Sequence, residues 1–426
     1  MSDNGSPLWR DRRFATYWAG QGVSELGDRV TELAIPLIAV TMLHASPSAV
    51  GFLTAAVWLP NIASLFVGAW VDGQARKQRV MVWANVIQGL AMLTLPVAYA
   101  FGAITLTHLF VVALVAGLTS VFYQTSYPTF FVSLVRRDQY VEANSLVSTT
   151  RSGSFIAGPA LGGLLIQVLT APVAIVVDAL SFFVGALLTH RVDVDEAVRE
   201  RETSADGLLR RSRDGMRFVL RHPYLKVSLG CSTTINFFNF VASALIILYA
   251  SRGLGLSAGV IGLTFGIGAT GGLLGVVLAG RVARRIGTGP TIAVGAVIFS
   301  APMALVPLAS GPVWARAAAL ALVEFVSSVG VMLFDINNNA VQSAVTPDPM
   351  RSRVAGAFST INYGIRPLGA VVGGLCGELV GVGPTMIAAG VGGSLSVLWL
   401  LGSPTIRVRS VDGLDAVDVP PHPAPA

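Results

Sequence analysis

Charge is what this chain has least of: Asp, Glu, Lys and Arg make up 12% of its 426 residues, against roughly 25% in an average soluble protein. With so few charged side chains and 53% hydrophobic ones, a water-facing surface cannot be covered. A soluble enzyme, a disordered scaffold and a nucleic-acid-binding protein are thereby excluded, and no nucleic-acid partner is expected despite the net charge of +6. Cysteine is equally scarce. Cys231 and Cys376 both lie in apolar stretches, offering neither a disulfide framework nor a metal-ligand cluster, so no metal or other cofactor is expected. The phosphate-cradling pattern Gly-x-x-x-x-Gly-Lys-Ser/Thr is missing, so direct ATP hydrolysis is unsupported. Serine, cysteine and the five histidines are too scattered for a catalytic triad. No short apolar segment near the start ends in a small-residue cleavage site, and no cleaved signal peptide is expected.

What the chain has instead is apolar runs long enough to cross a bilayer, which takes about 20 residues at 1.5 Å each. Twelve are expected, approximately at 14–43, 48–72, 80–101, 107–135, 142–166, 171–190, 225–250, 257–281, 289–310, 314–342, 354–381 and 384–402. The fold class is therefore an all-α membrane protein of twelve transmembrane helices in two six-helix bundles. The domain plan reads as a cytoplasmic segment 1–13, a bundle 14–190, a central loop 191–223, a second bundle 224–402 and a disordered tail 403–426. Of 29 Lys and Arg residues, 24 fall in the N-terminus, the even-to-odd connections and the C-terminus, and Arg252 and Arg316 fall on the other side. That asymmetry places both termini and the central loop in the cytoplasm, in a cell inner membrane. Within the central loop, Leu208, Leu209, Met216, Phe218, Val219 and Leu220 alternate with Arg210, Arg211, Arg213, Arg217 and Arg221. This pattern fits a basic amphipathic helix, resting either on the anionic inner leaflet or in solvent as a linker.

The halves repeat. Asp72 to Lys77 can be laid over Gly280 to Arg285 at an offset of 208, and Ser148, Thr149, Gly153, Gly162 and Gly163 over Ser359, Thr360, Gly364, Gly373 and Gly374 at an offset of 211. Weak symmetry between six-span halves suits a transporter with a midplane site between two bundles. The stretch Gly68 to Lys77 resembles the loop signature of the major facilitator superfamily, with Gly73 and Ala75 departing from the family's Arg and Gly. Gly153, Gly158, Pro159, Gly162 and Gly163 resemble the span-five signature of drug and proton antiporters. Gly20-Gln21 to Asp28-Arg29, Glu142-Ala143-Asn144, Asp178 to Phe182 and Pro347 to Val354 are similar to the branch that holds enterobactin exporters and macrolide efflux proteins. The resemblance implies a cytoplasmic gate at Gly68, Asp72, Arg76 and Lys77 and a leak-closing span five. Helix capping and ordinary close packing account for the same residues.

Span one carries Glu25, Asp28, Arg29 and Glu32 at relative positions 0, 3, 4 and 7, one helical face, with Gln21 a turn earlier. Each charge at the bilayer centre costs about 2.5–3.5 kcal/mol, so such residues belong on an interior, functional surface. Two readings stand: carboxylates that exchange protons against a substrate, and a fixed ion-pair cluster around Arg29. Asn61, Asp178, Asn236, Asn239, Glu324, Asp335, Asn339, Asn362 and Arg366 are the remaining candidates for the substrate cavity, with Asp335 and Arg366 a candidate ion pair. The expected function is export of hydrophobic or amphiphilic small molecules by proton antiport and alternating access. The expected partners are that substrate, protons and the lipid bilayer, with the protein a monomer. A lipid or siderophore importer, an uncoupled facilitator and a membrane receptor are the alternatives.

Overall fold

In hydrocarbon every backbone N–H and C=O must find its partner within the segment, so apolar runs of this length become helices. The computed structural model describes residues 7–194 and 205–414, and among these every regular element is helical. The first half comprises α1 (Arg12–Leu37), α2 (Pro47–Trp58), α3 (Ser64–Asp72), α4 (Lys77–Ala100), α5 (Leu106–Leu134), α6 (Tyr140–Leu169) and α7 (Ala171–Arg191). A linker helix α8 (Ala205–Arg221) leads to α9 (Pro223–Leu248), α10 (Ala258–Ile286), α11 (Thr288–Ser300), α12 (Val313–Val345), α13 (Arg351–Leu379) and α14 (Val382–Ser394). Among the described residues, nine helices are long and apolar enough to cross a membrane. The expected second span is broken: Pro47–Ala63, which runs on from α2, and Phe66–Asp72 of α3 meet at 53°. That pair makes ten. The other two expected spans, α1 and α13, have the length but carry too many polar and charged residues to be recognised by composition alone.

The repeat is more regular than the sequence comparison suggests. An offset of 211 carries α1 (Arg12–Leu37) onto α9 (Pro223–Leu248), the π-helical turn Ile38–Met42 onto Tyr249–Gly253, and the start of α2 at Pro47 onto that of α10 at Ala258. The halves meet where α6 crosses α10 and α2 crosses α13. Both crossings are glycine to glycine. A Cβ on Gly163 would lie 2.8 Å from the Gly262 Cα, and one on Gly374 would lie 2.9 Å from the Gly51 Cα, so only bare backbones fit. Hydrogen bonds close the same end. The Gln167 side-chain oxygen accepts from the Ser257 hydroxyl at 3.0 Å and the Gly259 N–H at 2.9 Å. Its repeat counterpart Glu378 accepts from the Ser48 N–H at 3.1 Å. Arg252 reaches across to the carbonyls of Val40 at 2.6 Å and Ala45 at 2.9 Å. At the opposite end Val141, Glu142, Asn144 and Ser145 of α6 and Arg351, Ser352, Ala355 and Gly356 of α13 are exposed, and Gly153, Gly356 and Gly364 face open space. The halves are thus joined at one end and parted at the other.

The linker helix α8 is amphipathic as expected, and Met216, Phe218 and Val219 of its apolar face pack on the second bundle, while Leu220 is exposed. Val219 is buried with Leu225 of α9, Val345 of α12, and Val354, Ala357 and Phe358 of α13, while Arg210, Arg213, Arg217 and Arg221 are exposed. Amphipathic spacing states that one face is apolar, not which surface covers it. Val219→Asp would bury a carboxylate in this seam. The expected result is a lower Tm and faster tryptic cleavage within α8, with unchanged insertion into the membrane. The expected disordered tail also needs correction. Residues 404–407 and 411–413 form short turns, and the carbonyls of Val408 and Arg409 accept from the Gly289 and Thr288 N–H groups at 2.8 and 3.2 Å, supplying donors at the start of α11 with partners. Residues 415–426, like the loop residues 195–204, lie outside the described residues.

Candidate functional site

The four charges of α1 do not converge into one cluster. Arg29 donates to both Glu32 oxygens, at 3.0 and 2.7 Å. Its guanidinium lies 5.2 Å from the Phe155 ring on α6. Glu25 instead accepts from Gln21 at 3.2 Å, and Gln21 in turn accepts from the Tyr123 hydroxyl of α5. Asp28 accepts no hydrogen bond and stands in no ion pair within 4.0 Å among the described residues. Close packing of α6 onto this helix explains part of the glycine motif. A Cβ on Gly158 would strike the Arg29 side chain, and Gly162 lies over the backbone of Val30. Pro159 and Gly163 face α10 instead, and Gly153 touches neither helix.

Asp178, expected in the cavity, is wholly buried between α7 and α1. The Thr31 hydroxyl donates to one carboxylate oxygen and the Ser181 hydroxyl to the other, the latter at 3.3 Å. Gly27 leaves the room this carboxylate occupies. Its sequence signal, a charge in an apolar run, is the same as that of a cavity residue, and only helix rotation separates the two. Asp178→Asn turns one acceptor into a donor facing a hydroxyl and should lower stability by about 1–3 kcal/mol, read as a drop in Tm in detergent, without altering substrate affinity.

Between α6 and the second half, a cavity of about 260 Å³ is bounded by Phe155 of α6, Phe238 and Asn239 of α9, Phe299 of α11, and Glu324 and Ser327 of α12. Glu324, packed against Gly268 of α10, has no hydrogen-bond or ion-pair partner among the described residues. The expected Asp335–Arg366 ion pair is not formed. Arg366 sits instead in an aromatic box, 4.4 Å from the rings of Trp58 and Tyr363 and 5.1 Å from Phe240. Its Nε donates to Asn236 at 3.3 Å. Asp335 and Asn339 lie exposed on α12. Asn362 accepts from Thr233 at 3.4 Å, and Asn61 is used locally, donating to the Trp58 carbonyl at 3.3 Å before the break in the span.

The loop between α3 and α4 is tied by Lys77 rather than by Asp72. Buried Lys77 donates to the backbone carbonyls of Asp72 at 3.1 Å and Gln74 at 2.5 Å, while the Asp72 and Arg76 side chains are exposed and Gly68 faces open space. Sequence reasoning missed Tyr123, Phe155, Trp58 and Tyr363. For Phe155 a signal existed: the 211-residue offset places it opposite Arg366, as it places Arg29 opposite Phe240.

The sequence profile of the Major Facilitator Superfamily matches this chain over residues 17–370 and 231–421. The multidrug efflux pump Tap of Mycolicibacterium fortuitum is 25% identical over 423 residues, covering 96% of this chain and 97% of Tap. Macrolide efflux protein A of Streptococcus pyogenes is 23% identical over 282 residues, covering 64% of this chain and 68% of that protein. Among solved structures, a bacterial homologue of the iron transporter ferroportin in its inward-facing state superposes with a TM-score of 0.72 at 17% identity, over 91% of this chain and 98% of its own. That last likeness is one of fold.

Proposed function

The chain belongs to the major facilitator superfamily, and from that premise we propose that it exports hydrophobic or amphiphilic small molecules, such as an antibiotic, a siderophore or a related metabolite, by proton antiport. Similarity to Tap along nearly the whole length supports export over import. The observation that carries the proton part is the pair of unpartnered carboxylates, Asp28 on α1 and Glu324 on α12, one in each half. A carboxylate without a basic partner at membrane depth is expensive as an anion, and taking up a proton removes that cost. Substrate and proton then compete for the space between the halves.

In this reading α1 to α7 supply six spans, with α2 and α3 as one, and α9 to α14 supply six more, within bundles 14–190 and 224–402. The 24 to 2 distribution of basic residues puts both termini in the cytoplasm. The end joined by the glycine crossings then faces outward, and the parted end opens to the cytoplasm, where an exporter loads. Rocking the halves about the midplane exposes the same site outward, and inward proton movement is worth about 2.3 kcal/mol per 100 mV of potential. The protein acts as a monomer in the cytoplasmic membrane. Inside-out vesicles with an imposed pH gradient test the proposal: a labelled amphiphile should accumulate only when the gradient is present. Equilibration regardless of the gradient would establish a facilitator instead.

A further inference from the structure

Two arginines in the spans, Arg29 and Arg366, lie over phenylalanine rings. Arg29 of α1 lies over Phe155 of α6 at 5.2 Å, and Arg366 of α13 over Phe240 of α9 at 5.1 Å. The 211-residue repeat relates them crosswise, Arg29 to Phe240 and Phe155 to Arg366. The same cation–aromatic pair is therefore built in both halves with its members exchanged. Their charges are treated differently. Arg29 is neutralised by Glu32 through contacts of 2.7 and 3.0 Å, whereas the repeat counterpart of Glu32 is Ser243, which carries no charge.

Arg366 has no carboxylate within 4.0 Å among the described residues. It lies about 22 Å along α13, counting 1.5 Å per residue from Arg351, where an unneutralised charge is costly. Trp58 and Tyr363, whose rings stack on each other at 6.2 Å, each lie 4.4 Å from its guanidinium on adjacent sides, and its Nε is engaged by Asn236 at 3.3 Å. Its terminal nitrogens make no hydrogen bond among the described residues, and they are not sealed from solvent. What is left free is the edge of a planar fork, the geometry that takes a carboxylate through two parallel hydrogen bonds. Tryptophan and tyrosine position the guanidinium and offer ring surface beside it.

We propose that Arg366 and its aromatic box form a subsite for the carboxylate of a transported aromatic amphiphile, which takes at Arg366 the place that Glu32 takes at Arg29. This rests on the exporter reading and narrows its substrate to anions. Because Trp58 comes from the first half and Arg366, Tyr363 and Phe240 from the second, an anion bound there touches both halves at once.

Equilibrium dialysis of the purified protein in nanodiscs tests this with three probes of one shape: 2-naphthoate, 2-naphthylmethylammonium and 2-naphthalenemethanol. Wild-type protein should bind the naphthoate at least tenfold more tightly than either other probe. Arg366→Gln should erase that preference and leave binding of the alcohol within twofold, and Arg366→Lys should keep part of it, having the charge without the fork. Ammonium binding as tight as that of naphthoate, or a naphthoate preference surviving in Arg366→Gln, overturns the proposal. The wild-type comparison needs no variant to fold. Parallel efflux assays keep the two readings apart: naphthoate selectivity without gradient-driven transport would leave the subsite standing and remove the exporter, and gradient-driven transport without selectivity would do the reverse.

Discussion

A leucine in place of Gly163 is expected to stop transport, while a leucine in place of Gly153 in the same helix is tolerated. Both glycines belong to one sequence motif, yet their surroundings differ. A Cβ at Gly163 would stand 2.6 Å from the Ala258 carbonyl oxygen and 2.8 Å from the Gly262 Cα, both backbone atoms that no rotamer change can move. At Gly153 nothing lies within 4 Å. Overpacking of this kind costs about 1–3 kcal/mol where the surroundings yield somewhat. Here it falls wholly on the state in which α6 and α10 touch, so the population of that state should drop about 5- to 150-fold. The remaining hydrogen bonds at that end, from Arg252 to Val40 and Ala45 and from Ser257 and Gly259 to Gln167, do not compensate, because they require the same approach. Gly374→Leu, at the crossing with Gly51, should behave alike. The check is maleimide labelling of a cysteine placed at Ala45, buried at the same joint, in a background with Cys231→Ser and Cys376→Ser, alongside vesicle transport. Gly163→Leu should label faster and transport nothing. Normal transport by that variant would show that the joined end never closes as tightly as the crossing implies.

The motif containing these glycines was legible in the sequence, but its division of labour was not. Gly158 and Gly162 serve α1, Gly163 serves α10, and Gly153 serves neither, a distinction set by helix rotation that spacing within a single helix does not reveal. The same limit explains Arg366. Opposite charges at Asp335 and Arg366 suggested a pair, yet the arginine is held by rings from α2, α9 and α13, residues far apart in the chain whose apolar character is unremarkable in a membrane protein. Hydropathy located the long apolar helices, since the cost of exposed backbone in hydrocarbon admits little else. It was least informative at α1 and α13, the helices whose polar residues bear most directly on mechanism. Charge spacing did single out the face of α1, and the structure then divided its charges into a paired arginine, a glutamate bonded to glutamine and a lone aspartate.

That lone aspartate gives the second large effect. Asp28→Asn and Glu324→Gln should each collapse gradient-driven accumulation while leaving the protein folded. Neither carboxylate accepts a hydrogen bond or pairs with a base among the described residues, so an amide of the same shape removes a site for a proton without breaking a contact. Glu32→Gln differs, because it strands Arg29, now 2.7 Å from its partner, and its loss of transport should come with a loss of stability. In inside-out vesicles, one pH unit is worth about 1.4 kcal/mol for each proton exchanged, enough to sustain a substrate ratio of up to tenfold. Both amide variants should bring that ratio to about one. Counterflow, in which labelled substrate exchanges for unlabelled substrate without net proton movement, should continue, because alternation of the halves is intact. Stability separates the roles: a Tm within a few degrees of wild type together with lost accumulation identifies a proton carrier, and parallel loss of both identifies a structural residue. Full gradient-driven accumulation by the double variant Asp28→Asn, Glu324→Gln would remove both carboxylates from the coupling step and leave Glu25, held by Gln21 at 3.2 Å, as the carboxylate to test next.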